Sequence, residues 1–195
     1  MKKLICFVLI SLFSLTDAWS MLGPQQQVEE VVNSVLTVLK NQQLTIKEKR
    51  AQVSGQVQKF LNMAAMAERT LGSNWDEASL EERQRFTELF VRILEGTYLN
   101  RINDYSGGDV VYQTERIKGD KAIIDTKFVD TGLEIPVQYK MIVDNGTWVV
   151  FDVTIEGVSL IRNYRSSYGE IIRRDGYNGL FALMEQKIKE MQANQ

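Results

Sequence analysis

The hydrophobic period of this chain changes twice, and those changes leave few folds open. From Val28 to Tyr98 apolar residues recur three and four positions apart. After Gly107-Gly108 they alternate or run together, with Val, Ile, Tyr and Phe enriched, and beyond Ser159 the helical spacing returns. Helices, then a block of strands, then helices again make an α+β domain.

The boundaries inside that frame carry specific signals. Val28, Val31, Val32, Val35, Leu36 and Leu39 mark a first amphipathic helix. Thr45 with Glu48, and Ser79 with Glu82, are capping boxes that start two more. Asn62 is an N-cap for a short helix that Gly72 stops. The helix after Ser79 lines Phe86, Leu89, Phe90, Ile93, Leu94, Thr97, Tyr98 and Ile102 along one face. Strands are expected over 109–118, 121–130, 133–144 and 147–156, with tight turns at Lys118-Gly119-Asp120 and Asp144-Asn145-Gly146. The Asn-Gly pair is the signal of a type I′ hairpin. Ser159 starts a helix through Arg174, Asp175-Gly176 breaks it, and a last helix begins near Asn178. Connections this short favour sequential pairing, hence a curved four-stranded antiparallel meander between N-terminal and C-terminal helices. A curved sheet closed by helices leaves an apolar cavity between them.

The first residues stand apart. Lys2 and Lys3 precede an apolar run from Leu4 to Leu15, with small residues at Ala18 and Ser20. This is the pattern of a cleaved secretory leader, and the run is too short for a membrane anchor. The expected organisation is a leader over 1–20 and a single domain over 21–195.

Much chemistry is excluded by residue type. The chain has no histidine, and its one cysteine, Cys6, lies in the leader. Disulfides, Cys/His zinc sites, thiol nucleophiles and histidine triads therefore drop out of the mature domain. A net charge of −2 gives no bulk attraction to nucleic acid, so no nucleic-acid partner is expected. No phosphate loop or EF-hand is present, and no metal or cofactor is expected. Asp152 and Glu156 share a strand face by alternation, but at roughly 13 Å they are too far apart for a carboxylate pair of about 5–10 Å. The expectation is that they brace the strand-to-helix corner, through Arg162, Arg165 or backbone N–H groups, with Ser159 as a helix cap.

The aromatic residues point elsewhere. Tyr98, Tyr105, Tyr139, Tyr164 and Tyr168 sit in or beside apolar faces, and Trp148, Val150 and Phe151 make the last strand apolar on both sides. Such residues suit either ordinary core or a cavity that is apolar inside with polar handles at its mouth.

Four stretches then carry a resemblance: LGSNW (71–75), FTELFVRILEGTYLNRINDYSG (86–107), YKMIVDNGTWVVFDVTIEGVSLIRNYRSSYGEII (139–172) and DGYNGLFALMEQK (175–187). From Trp75 to Leu183 the chain resembles the MlaC family of periplasmic phospholipid-binding proteins, also called the toluene-tolerance or auxiliary-transport family. Asn62 stands where that family is expected to have aspartate, and QKF replaces a proline-bearing turn before it.

The resemblance implies a cystatin-like or NTF2-like α+β fold and a non-enzymatic periplasmic carrier. Its cargo is phospholipid, held by the acyl chains, with no other cofactor. Its implied partners are an outer-membrane lipoprotein-porin complex and an inner-membrane ABC transporter with an MCE-domain substrate-binding subunit. In that setting the lipid-binding candidates are Phe90, Leu94, Tyr98, Tyr105, Tyr139, Met141, Trp148, Val150, Val158, Leu160, Tyr164 and Tyr168. Two rivals remain on sequence grounds. One is an NTF2-like enzyme using Asp152 or Glu156 as base on a small apolar substrate, and the other is a periplasmic adaptor binding an apolar protein segment.

Overall fold

A computed structural model describes residues 22–99 and 107–193. The expected leader at 1–20, with Ile102 and Tyr105, falls outside the described residues. Among the described residues five helices come first: α1 (Pro24–Lys40), α2 (Ile46–Phe60), α3 (Met63–Leu71), α4 (Ser73–Glu77) and α5 (Leu80–Tyr98). Strands β1 (Asp109–Lys118), β2 (Lys121–Asp130), β3 (Leu133–Asp144), β4 (Thr147–Ile155) and β5 (Val158–Ser159) follow, and α6 (Leu160–Ala193) closes the chain.

The capping signals act as their chemistry requires. The Thr45 and Ser79 hydroxyls accept from the N–H groups of Glu48 and Glu82, and each glutamate accepts in return from the cap N–H at 2.8 Å. The Asn62 side chain accepts from the Ala65 N–H at 2.9 Å. Gly72, at φ +60°, separates α3 from the short α4, which the sequence had not signalled. Asn145 and Gly146 take φ of 48° and 75°, the type I′ geometry that matches strand twist.

The sheet is antiparallel throughout, in the order β1-β2-β3-β4-β5. Its fifth strand is a two-residue addition to the expected meander. Glu156 and Gly157, at φ 50° and 80°, turn the chain back so that Ile155 pairs with Val158. A glutamate at positive φ is unfavourable, so Glu-Gly signals a hairpin far more weakly than Asn-Gly. The expected break in the C-terminal helix is present as a kink within α6 at Gly176, where φ is 69° and ψ is −175°.

Two β-bulges decide which residues share a face. Val111 and Tyr112 pair in register, then Gln113 is skipped. In β4, Met141 opposes Val150 and Lys140 opposes Asp152, which leaves Phe151 as the extra residue. Because neighbours across a ladder share a face, each bulge moves the following residues to the opposite side.

The interior formed by the described residues divides into three clusters. A helical one joins α3, α5 and α6 around Met66, Phe86, Phe90, Leu94, Tyr168, Phe181 and Met184. A second presses Val28, Val31 and Val32 of α1, with Phe60, onto Ala122, Ile124, Met141, Trp148 and Val150 of the sheet. Leu61 packs against both, and its backbone bridges Val150 of β4. The third ties α1 to α2 through Val38, Leu39 and Val53.

Candidate functional site

The sheet presents two unlike faces. Its outer face is polar and cross-linked: Arg116 pairs with Asp125 at 2.7 Å, Lys127 with Glu134 at 2.7 Å, and Lys140 with Asp152 at 2.8 Å. Its inner face is apolar and lies under α1. The ends of α1 fix its course along β1: the Gln25 N–H donates to Glu115 at 3.0 Å, and Lys40 pairs with Asp109 at 2.6 Å.

Inner-face residues form cross-strand rows. Ala122, Met141 and Val150 share one row that is fully packed. Next comes Ile124, Tyr139 and Val153, and after it Tyr112, Thr126, Val137 and Ile155. On the β3–β4 side these last two rows hold Tyr139, Val137, Val153 and Ile155, all only partly buried. Apolar side chains at sheet positions with incomplete cover are the part of this face able to accept an apolar ligand.

Tyrosine hydroxyls supply the polar points. Desolvation pushes the Tyr139 phenol up to about 12, opposed by a hydrogen bond with Thr126. Burial also raises Tyr112, Tyr164 and Tyr168. Tyr164 is hydrogen-bonded to Thr97, whereas the enclosed Tyr112 hydroxyl has no partner among the described residues. All four phenols are neutral at physiological pH, so each is able to donate or accept a hydrogen bond without adding charge.

The expected lipid-binding residues are gathered as two groups rather than one. Tyr139, Met141, Trp148 and Val150 belong to the sheet–α1 cluster. Phe90, Leu94, Tyr164 and Tyr168 belong to the helical cluster, where Tyr164 meets Phe90 edge-on at 5.4 Å and Tyr168 meets Phe86 edge-on at 5.9 Å. Leu160 is partly buried at the start of α6. Tyr98, in the last turn of α5, is 39% exposed, and Val158, just after the β4–β5 turn, is 55% exposed. Tyr105 lies outside the described residues.

Sequence reasoning missed Val137, Val153 and Ile155. Strict alternation along β4 sets Val153 and Ile155 opposite to Trp148 and Val150. The bulge at Phe151 brings them to the same face. Trp148, Val150 and Phe151 make the strand apolar on both sides in the sequence, but nothing in that tract specifies the bulge.

The same bulge removes Asp152 from the apolar side. The carboxylate is 4% exposed and fully engaged: Lys140 Nζ and the Ser159 hydroxyl each donate to Oδ2 at 2.8 Å, and the Ile161 N–H donates to Oδ1 at 3.2 Å. Ser159 in turn accepts from the Arg162 N–H at 3.1 Å, which caps α6 as expected. Of the expected partners of Asp152, Arg162, Arg165 or a backbone N–H, the structure supplies the backbone N–H of Ile161, and the lysine across the ladder takes the place of the arginines because the bulge aims the carboxylate at it. Arg165 instead donates to the Arg69 carbonyl at 2.7 Å, and Glu156 is exposed at its turn. A carboxylate held by three donors on the far face is a fastening, poorly suited to act as a base toward a ligand on the inner face.

Among the described residues, no group of three or more His, Cys, Asp or Glu side chains is placed to hold a metal. No helix among them is long and apolar enough to cross a membrane.

Comparison with known proteins agrees with this architecture. The sequence model for the MlaC protein family matches residues 29–186. The intermembrane phospholipid transport system binding protein MlaC of Haemophilus influenzae is 20% identical over 197 residues, covering 96% of this chain and 92% of that protein. The toluene tolerance protein ttg2D of Pseudomonas putida is 29% identical over 102 residues, covering 51% of this chain and 47% of the relative. A solved structure of a phospholipid-binding protein from Ralstonia solanacearum, in complex with a phospholipid, superposes with a TM-score of 0.80. It has 20% identity and covers 88% of this chain and 99% of that one, so it shares the fold.

Proposed function

The chain belongs to the MlaC family, and from that premise we propose that it is a periplasmic phospholipid carrier, not an enzyme, which shuttles lipid between outer-membrane and inner-membrane complexes. The observation that carries this reading is the inner face of the sheet. An apolar surface crosses the strands at Val137, Val153 and Ile155 under incomplete cover, beside neutral phenols, while the Asp152 carboxylate is held on the opposite face. The H. influenzae relative is named for intermembrane phospholipid transport, and the R. solanacearum neighbour holds a phospholipid.

In this proposal residues 1–20 direct export and 21–195 form the lipid-binding domain. The acyl chains lie against the inner face, and the two expected residue groups flank them from the sheet and helical sides. Each buried methylene contributes about 0.8 kcal/mol, so one chain of about 16 carbons amounts to roughly 12 kcal/mol before ordering costs. Spontaneous loss into water is therefore slow. Directional exchange needs partners that offer a continuous apolar path: the lipoprotein-porin complex on one side, and the ABC transporter with its MCE-domain subunit on the other.

The test is mass spectrometry of lipid extracted from protein purified without detergent, followed by uptake of labelled phospholipid from vesicles. Stoichiometric phospholipid is expected. Protein that is consistently lipid-free and takes up none refutes carriage.

A further inference from the structure

We propose that the Tyr112 hydroxyl is a hydrogen-bond anchor for a carbonyl oxygen of the cargo, specifically the ester group at the head of an acyl chain. This assignment rests on the carrier function proposed above and adds a specificity-determining residue to it.

Three observations converge. The first is an unmet donor: the Tyr112 hydroxyl is enclosed and hydrogen-bonds to nothing among the described residues. A buried hydroxyl without an acceptor costs about 1–3 kcal/mol, and such groups are rare enough to call for a partner. The neighbouring groups hold other partners: Tyr139, whose phenol is felt most strongly at Tyr112, is hydrogen-bonded with Thr126. Thr126, directly opposite in the ladder, donates to the Val137 carbonyl at 3.0 Å. Glu29 of α1, whose charge reaches Tyr112, accepts instead from the Gln25 side-chain amide at 2.8 Å.

Position is the second. Tyr112 begins the row that continues through Thr126 and Val137 to Ile155 across all four long strands of the inner face. With strands about 4.8 Å apart, that row is roughly 14 Å long. It runs from a polar donor beneath α1 to partly buried aliphatic side chains on the β3–β4 side. An ester-linked chain has the same order of chemistry, with one acceptor at its head and methylenes beyond.

The third is how the sheet is built. The bulge at Gln113 follows immediately, so Tyr112 is the last β1 residue whose even number keeps it on the inner face. One position later the parity reverses, and Glu115 takes the inner place. The phenol is thus held by its own strand at the edge of the apolar row.

The discriminating probe is a pair of phosphatidylethanolamines with identical headgroup and chain length, one ester-linked and one ether-linked, since the ether lacks the carbonyl. Delipidated full-domain protein is loaded from vesicles holding the two in equal amounts, and the bound ratio is read by native mass spectrometry. Wild type is expected to favour the ester lipid by about three- to tenfold, the range of one net hydrogen bond. Tyr112→Phe is expected to bring the ratio to about one while leaving the urea midpoint equal or higher, because it deletes an unsatisfied buried hydroxyl. A wild-type ratio of one with lipid bound overturns the anchor and leaves carriage standing. A preference that survives in Tyr112→Phe also overturns it, since another donor must then be responsible. Binding of neither lipid defeats the carrier reading itself, and the anchor with it.

Discussion

Replacing Asp152 by alanine should cost the fold rather than the ligand, by an amount that follows from its bonds. Three donors lose one acceptor: Lys140 Nζ, the Ser159 hydroxyl and the Ile161 N–H. Removing one partner of a fully buried ion pair costs about 3–5 kcal/mol. Here the lysine side chain is 25% exposed and regains some hydration, which lowers that figure. The enclosed Ser159 and Ile161 donors add about 1–3 kcal/mol each if left empty, although the hydroxyl can rotate toward another acceptor. These terms are not additive, and a loss of about 3–4 kcal/mol is expected. For a domain of this size that is roughly 6–16 °C in Tm. Urea unfolding followed by tryptophan fluorescence measures it, with lipid content per folded molecule recorded in parallel. Asp152→Asn keeps one acceptor and should lose about half as much. Adding Lys140→Met to Asp152→Ala should recover part of the loss, because no unpaired ammonium then remains. A shift below about 0.5 kcal/mol would refute the fastening argument. So would a variant of wild-type stability that no longer takes up lipid, since that is the signature of a group acting on the ligand.

Four further outcomes are expected. A Cβ at Gly108 would lie 2.1 Å from the Phe128 ring, so Gly108→Ala should destabilise by about 1–3 kcal/mol in the same urea assay. Gly55→Ala, within α2 and with nothing inside 4 Å, should stabilise by about 0.5–1 kcal/mol, whereas Gly176→Ala at φ 69° should cost about 1–2 kcal/mol. Alkaline pH should weaken the fold: Tyr139 titrates near 12 when folded and about 10 when unfolded, so the unfolded chain loses its proton first. Stability from this phenol is intact below pH 10 and falls by about 1.4 kcal/mol per pH unit up to 12, measurable as urea midpoints alongside phenolate absorbance.

Except for the short α4 and the two-residue β5, the elements and their order were legible in the sequence, because the signals involved are local. Capping boxes at Thr45 and Ser79, the Asn145-Gly146 turn and the Gly176 break each act through bonds or dihedrals within a few residues. Period gives strand or helix for the same reason, and the family signature around residues 139–172 was legible as a linear string. Which residues meet was decided only by tertiary structure. The bulge at Phe151 turns Asp152 outward to Lys140 and brings Val153 and Ile155 inward, in the pairing of β4 with β3 beside the Leu61–Val150 bridge. A pairing register is a property of two strands at once, so reading either strand alone assigns the faces correctly only up to the bulge. The division of the aromatic residues between a sheet cluster and a helical cluster has the same origin. Their apolar character is written in the chain, but their company is set by how α1 and α6 dock.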